Sequence, residues 1–161
     1  MYKHTDDDVV IHSTLESGED IIIKDKWKRE RHFKVATFEL PAGLYAEAVE
    51  ANKYFPHGHN FKMMFDFDTD PEIAKERLLK KVKRGINRRH LKKWGDRWRI
   101  GNKGILRGRI EWNDDFEDTE YDRVFVIDGK RITMEKFSQM FEEWEGWHFE
   151  FKILDPHDEN A

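Results

Sequence analysis

The run Arg-Val-Phe-Val-Ile-Asp-Gly-Lys-Arg-Ile-Thr (123–133) limits the fold more than any other stretch of the chain. Asp128-Gly129 supplies the two positive φ angles of a type I′ turn, and the arms on either side are rich in β-branched and aromatic residues. An antiparallel hairpin follows. A hairpin alone is marginal in water, so this one must join a sheet with an apolar face to bury. The chain has the material for such a face: its 161 residues include 12 Phe and 6 Trp, whose side chains each bury large areas.

Other segments supply further strands and two helices. Residues 8–13, 19–25 and 31–40 read as short strands, and Pro41 closes the third. Residues 42–54 suit a short helix or helical turn, and 55–60 a Pro/Gly loop. In 61–68, Phe61, Met63, Phe65 and Phe67 share one strand face and Asp66 and Asp68 the other. Asp70 as N-cap and Pro71 at the first helical position open a helix running towards Trp94. Leu78, Leu79, Val82 and Ile86 fall within about a 100° arc of it. Leu91 would land among the bases of a straight helix, so an end or bend is expected near Asn87–His90. Gly85 costs about 1 kcal/mol relative to Ala, which packing must offset.

The C-terminal third continues the pattern. Residues 96–100 and 104–112 read as strands, the second with Leu106, Ile110 and Trp112 on its apolar face. Gly108 there marks a bulge or close approach. A second helix starts near Thr133 and carries Met134, Phe137, Met140, Phe141 and Trp144 at 3–4 spacing up to Gly146. Trp147, Phe149, Phe151 and Ile153 then alternate with His148, Glu150 and Lys152 in a closing strand. The expected fold is an α+β single domain over 1–161, a largely antiparallel sheet against two main helices at about 70–94 and 133–145. Short polar tails are expected at 1–6 and 155–161.

The closing third resembles an uncharacterised bacterial domain family of unknown function. The resemblance rests on "RGRIEW" and on "VFVIDGKRITMEKFSQMFEEWEGWHFEFKILDPHD", an Ile-Asp-Gly hairpin, a helix and a Glu-Gly-aromatic strand; "FKMMFDFDTDPE" adds an aromatic-Asp strand before a long helix. It implies an α+β domain without assigned catalytic residues. Some relatives carry a Cys-x-x-Cys segment resembling a zinc knuckle. This chain has no cysteine, so that metal does not carry over.

Charge is unevenly distributed. The net charge is −4, yet residues 75–99 are strongly basic and 111–122 strongly acidic, a matter of association rather than fold. Arg77, Lys80, Lys81, Arg84, Arg88, Lys92 and Lys93 form a candidate strip for phosphates or a protein partner, with Trp94 and Trp98 as stacking faces. The competing reading is a solvated helix face, its charge balanced within the chain. His57, His59, Asp66 and Asp68 form a weaker candidate metal set; Pro71 stands where an EF-hand needs Gly.

Some chemistry is excluded. Without cysteine there are no disulfides, thiolate zinc sites or cysteine nucleophiles. No serine sits in a Gly-x-Ser-x-Gly elbow. No secretory h-region and no apolar run of about 18 residues is visible, so a cytoplasmic protein that does not enter the membrane is expected. The leading functional expectation is a non-enzymatic module that binds a protein partner or itself, without cofactor. A nucleic-acid accessory protein is the alternative, and a metal-dependent enzyme the third.

Overall fold

The computed structural model describes residues 16–52, 58–114 and 121–161. Strand 8–13 and His57 lie outside them. The chain divides into two compact units. Among the described residues the first holds 16–52, 60–87 and 153–161, and the second 58–59 and 88–152.

The first unit is a four-stranded antiparallel sheet in the order β1(Glu19–Lys24), β2(Glu30–Leu40), β3(Gly43–Glu50), β4(Asn60–Phe65), with helix α1(Pro71–Ile86) packed on it. The β1–β2 connection is tied by Asp25, whose carboxylate accepts the backbone N–H of Trp27 at 2.9 Å and of Arg29 at 3.0 Å. The guanidinium groups of Arg29 and Arg31 also reach it, at 3.0 and 3.4 Å. Burial pushes this carboxyl up, but the N–H donors and Arg29 outweigh it and hold the pKa below the ordinary value.

β3 replaces the expected helix at 42–54. Its alanines, leucine and glutamates are good helix formers, but all eight strand residues are buried between β2 and β4. Tertiary pairing overrides intrinsic propensity here. Leu44, Ala46 and Ala48 face α1, where Ala74, Leu78, Val82 and Ile86 complete the core with Phe33, Val35, Met63 and Phe65. Gly43, at φ +143°, lies so close to the Phe65 carbonyl that a Cβ would sit 2.2 Å from its oxygen.

α1 begins as expected: Asp70 caps it by accepting Glu72 N–H at 2.8 Å, and Pro71 follows. It ends at Ile86 with Asn87 as C-cap, so the helix does not reach Trp94. Gly85 lies against the Phe61 ring, which would have to shift to admit a Cβ standing 2.2 Å from it.

The second unit contains two sheets. β5(Leu91–Trp94) and β6(Arg97–Ile100) form a hairpin about Gly95-Asp96; β7(Gly108–Trp112), β8(Arg123–Ile127) and β9(Lys130–Thr133) form an antiparallel meander. Among the described residues the strands therefore lie in three sheets rather than one. The Asp128-Gly129 turn has φ values of +52° and +71°, as the sequence requires. Gly108 makes a close approach: a Cβ would meet the Val126 carbonyl oxygen at 2.4 Å. Thr133 caps the short helix α2(Met134–Gln139), and a 3₁₀ turn follows at Glu142–Trp144, so the helix expected to run to 145 is broken after one and a half turns. Leu91, Ile127, Ile132 and Met140 form the buried core, with Trp98, Ile100, Leu106, Phe125 and Phe137 packed against it. Phe125 and Phe137 stack at 4.2 Å between centroids.

Candidate interaction surface

The basic stretch 75–99 spans both units. Its first part lies on α1 in the first unit and its second part on the β5–β6 hairpin in the second. On α1, Lys80 pairs with Glu76 one turn away at 2.9 Å. The C-terminal residues occupy the rest. Arg77 pairs with Glu159 at 3.2 Å, and Arg84 donates to the Glu159 carbonyl at 2.7 Å. Lys81, expected on the wet side, is buried. Its ammonium donates to the carbonyls of Lys62 at 2.9 Å, Pro156 at 2.8 Å and Asp158 at 2.5 Å. Burial lowers its pKa to about 8, against the upward pull of Asp158 and with a further push from Arg84. The tail at 155–161 is thus fastened to α1, and His157 also meets Tyr45 edge-on at 5.9 Å between ring centroids.

On the hairpin, register places Lys92 opposite Arg99 and Trp94 opposite Arg97. Arg99 lies over the Trp94 ring at 4.2 Å, while Arg97 and Arg99 pair with Glu142 at 3.3 Å and Glu143 at 3.5 Å. Trp94 is 60% exposed. Trp98 packs against the core instead, beneath the ammonium groups of Lys93 at 5.5 Å and Lys130 at 5.0 Å. Arg88, which follows α1 in the chain, is exposed. The open groove beside Trp94, bounded by Arg97, Arg99, Met140 and Glu143, holds about 580 Å³.

Of the metal-capable residues, His57 lies outside the described residues, His59 belongs to the second unit, and Asp66 and Asp68 belong to the first. The His59 ring lies against Gly129, within 2.5 Å of where a Cβ would stand. Asp66 and Asp68 are exposed in the turn leading to α1, because β4 stops at Phe65. Among the described residues no group of three His, Asp or Glu side chains is placed to hold a metal ion. Asp128 serves the fold. Its carboxylate accepts the N–H of His90 at 2.9 Å and of Leu91 at 2.8 Å, pinning the start of β5.

The largest departure from expectation is the aromatic C-terminal stretch. Residues 147–154 have strand-like alternation but join no sheet, and among the described residues no hydrogen bond engages the backbone of 148–154. Trp147 is 70% exposed, Phe149 90%, Phe151 65% and Ile153 69%. On edge strand β7, Ile110 and Trp112 are exposed too, while Arg109 and Glu111 on its other face are half-buried and paired with each other. Arg109 also donates to the Gly58 carbonyl at 2.9 Å. The sequence carried the signal in the unbroken alternation of Trp147, Phe149, Phe151 and Ile153. Reading it as a closing strand assumed that a neighbour exists within the chain.

Comparison with known proteins follows the same division. Residues 16–87 match the family model of a domain of unknown function (DUF7686), and residues 89–158 match that of a second domain of unknown function (DUF7713). No curated protein and no solved structure matches the chain. The break between the two matches falls where α1 ends and the second unit begins. Among the described residues no helix is long and apolar enough to cross a membrane.

Proposed function

We propose that this chain is a protein-interaction module whose binding surface is the aromatic stretch 147–153. One observation carries the reading: four large apolar side chains in alternation stand exposed, and among the described residues the backbone of 148–154 has no hydrogen-bond partner. Contiguous apolar exposure of this kind marks interaction sites, and Trp and Phe are the side chains that dominate them. Unpaired extended backbone supplies the second element, since strand addition gives affinity through main-chain hydrogen bonds and specificity through alternate side chains. A photo-reactive phenylalanine analogue at Phe149 tests this in cells that produce the protein. A discrete cross-linked protein species is expected from position 149 and not from the exposed helix position Lys80. Equal or absent cross-linking at the two positions contradicts the reading.

A second reading rests on the hairpin face that carries Lys92, Trp94, Arg97 and Arg99. An exposed indole among cations suits a nucleobase stacked over a phosphate backbone. Glu142 and Glu143 oppose it by neutralising both arginines. Anisotropy of labelled oligonucleotides at low and moderate salt decides. Salt-sensitive binding abolished by Trp94→Ala with Lys92→Glu supports this reading, and absence of binding at low salt removes it.

A further inference from the structure

We infer that the occupant of the aromatic stretch is a second copy of this chain, whose own 148–154 pairs with it antiparallel about a two-fold axis through Phe151. The inference rests on the interaction reading above and adds partner and register. Two identical strands related by a two-fold axis make an isologous pair, in which residue i faces j and j faces i. Side chains opposite each other share a face, so only an axis through a residue keeps the apolar set together.

Three such registers span the stretch. With the axis at Glu150, Glu150 faces its own copy, so like charges oppose. With the axis at Phe149, the ladder runs onto Gly146, whose φ of +85° is not strand geometry, and Lys152 faces that glycine. With the axis at Phe151, Glu150 faces Lys152 twice, Phe149 faces Ile153 twice, and the ladder lies clear of Gly146 and Pro156. Over 148–154 this register pairs Glu150 with Lys152 and keeps the apolar side chains opposite one another. Addition to edge strand β7 of a second copy is the competing geometry, and in it position 151 would not face its own copy.

The chain has no cysteine, so one introduced thiol reports the register without interference. The full-length protein is examined by analytical ultracentrifugation, and single-cysteine variants by mild oxidation. Wild type is expected to dimerise. Phe151→Cys should give a disulfide dimer readily, since paired Cα atoms about 4.5–5.5 Å apart suit the bond, whereas Phe149→Cys should not. Lys152→Glu should weaken the dimer at least about tenfold, and the swap Glu150→Lys with Lys152→Glu should restore it. All four positions are exposed in the isolated chain, so loss of folding does not imitate these results. A wild-type monomer at high concentration overturns the proposal. So does a dimer that cross-links through 149 instead of 151, or one indifferent to the charge swap. A monomer whose position 149 still cross-links to another protein overturns the second copy while leaving the interaction reading in place.

Discussion

Lys81 and Gly85, one turn apart on α1, show how closely that helix is fitted to its surroundings. The ammonium of Lys81 is withdrawn from water and held by three carbonyl oxygens, with its pKa lowered to about 8. The unfolded chain keeps the lysine protonated to its ordinary value of 10.5, so between pH 8 and 10.5 the unfolded state binds more protons than the folded one. Stability contributed by this site therefore rises with pH across that window. Denaturation midpoints of wild type minus those of Lys81→Met should increase from pH 8 to 10, and a flat difference contradicts the assignment. At Gly85 two effects compete. Alanine favours the helix by about 1 kcal/mol, but its methyl would enter the Phe61 ring. Overpacking of a fixed ring is the larger effect, so Gly85→Ala should destabilise by about 1–2 kcal/mol net. Phe61→Leu should relieve most of that loss in the double variant, read by urea denaturation.

At the scale of elements, Asp128 joins two hairpins. It occupies the first positive-φ position of the β8–β9 turn and receives the first two amides of the β5 arm. Asp128→Ala should cost about 1–3 kcal/mol in urea denaturation, because it strands two N–H groups and spoils the turn. Asp128→Asn, which tolerates the turn and retains an acceptor, should cost less. The turn itself was legible in the sequence, as were the Asp70 cap, the Leu78–Val82–Ile86 stripe and the close approach at Gly108. In each case one residue type answers one local requirement. β3 was not legible, because Ala, Leu and Glu favour a helix and only pairing with β2 and β4 decides otherwise. The β5–β6 hairpin was hidden by the run of lysines and arginines that continues past α1, although Gly95-Asp96 between two tryptophans carries its turn signal. Lys81 on the wheel looked solvated; only the return of residues 156–158 to α1 buries it. Of the candidate surface, the alternation from Trp147 to Ile153 was visible, and its lack of a partner strand was not.

For the whole molecule, two compact units, two core clusters and two domain matches of unknown function follow the same division near residue 88. The basic stretch that dominates the sequence is divided by it. Its α1 part is occupied by Glu76, Glu159 and carbonyls of the tail, and its hairpin part by Glu142 and Glu143. Arg77, Lys80, Arg97 and Arg99 are thus paired within the chain, while the stretch 147–153 presents exposed apolar side chains. Amide hydrogen exchange of residues 148–154, followed at low and high concentrations of the full-length protein, tests this most directly. The account predicts rapid exchange in dilute protein and protection of this stretch at high concentration as the strand finds its copy. Equally rapid exchange at both concentrations would contradict it.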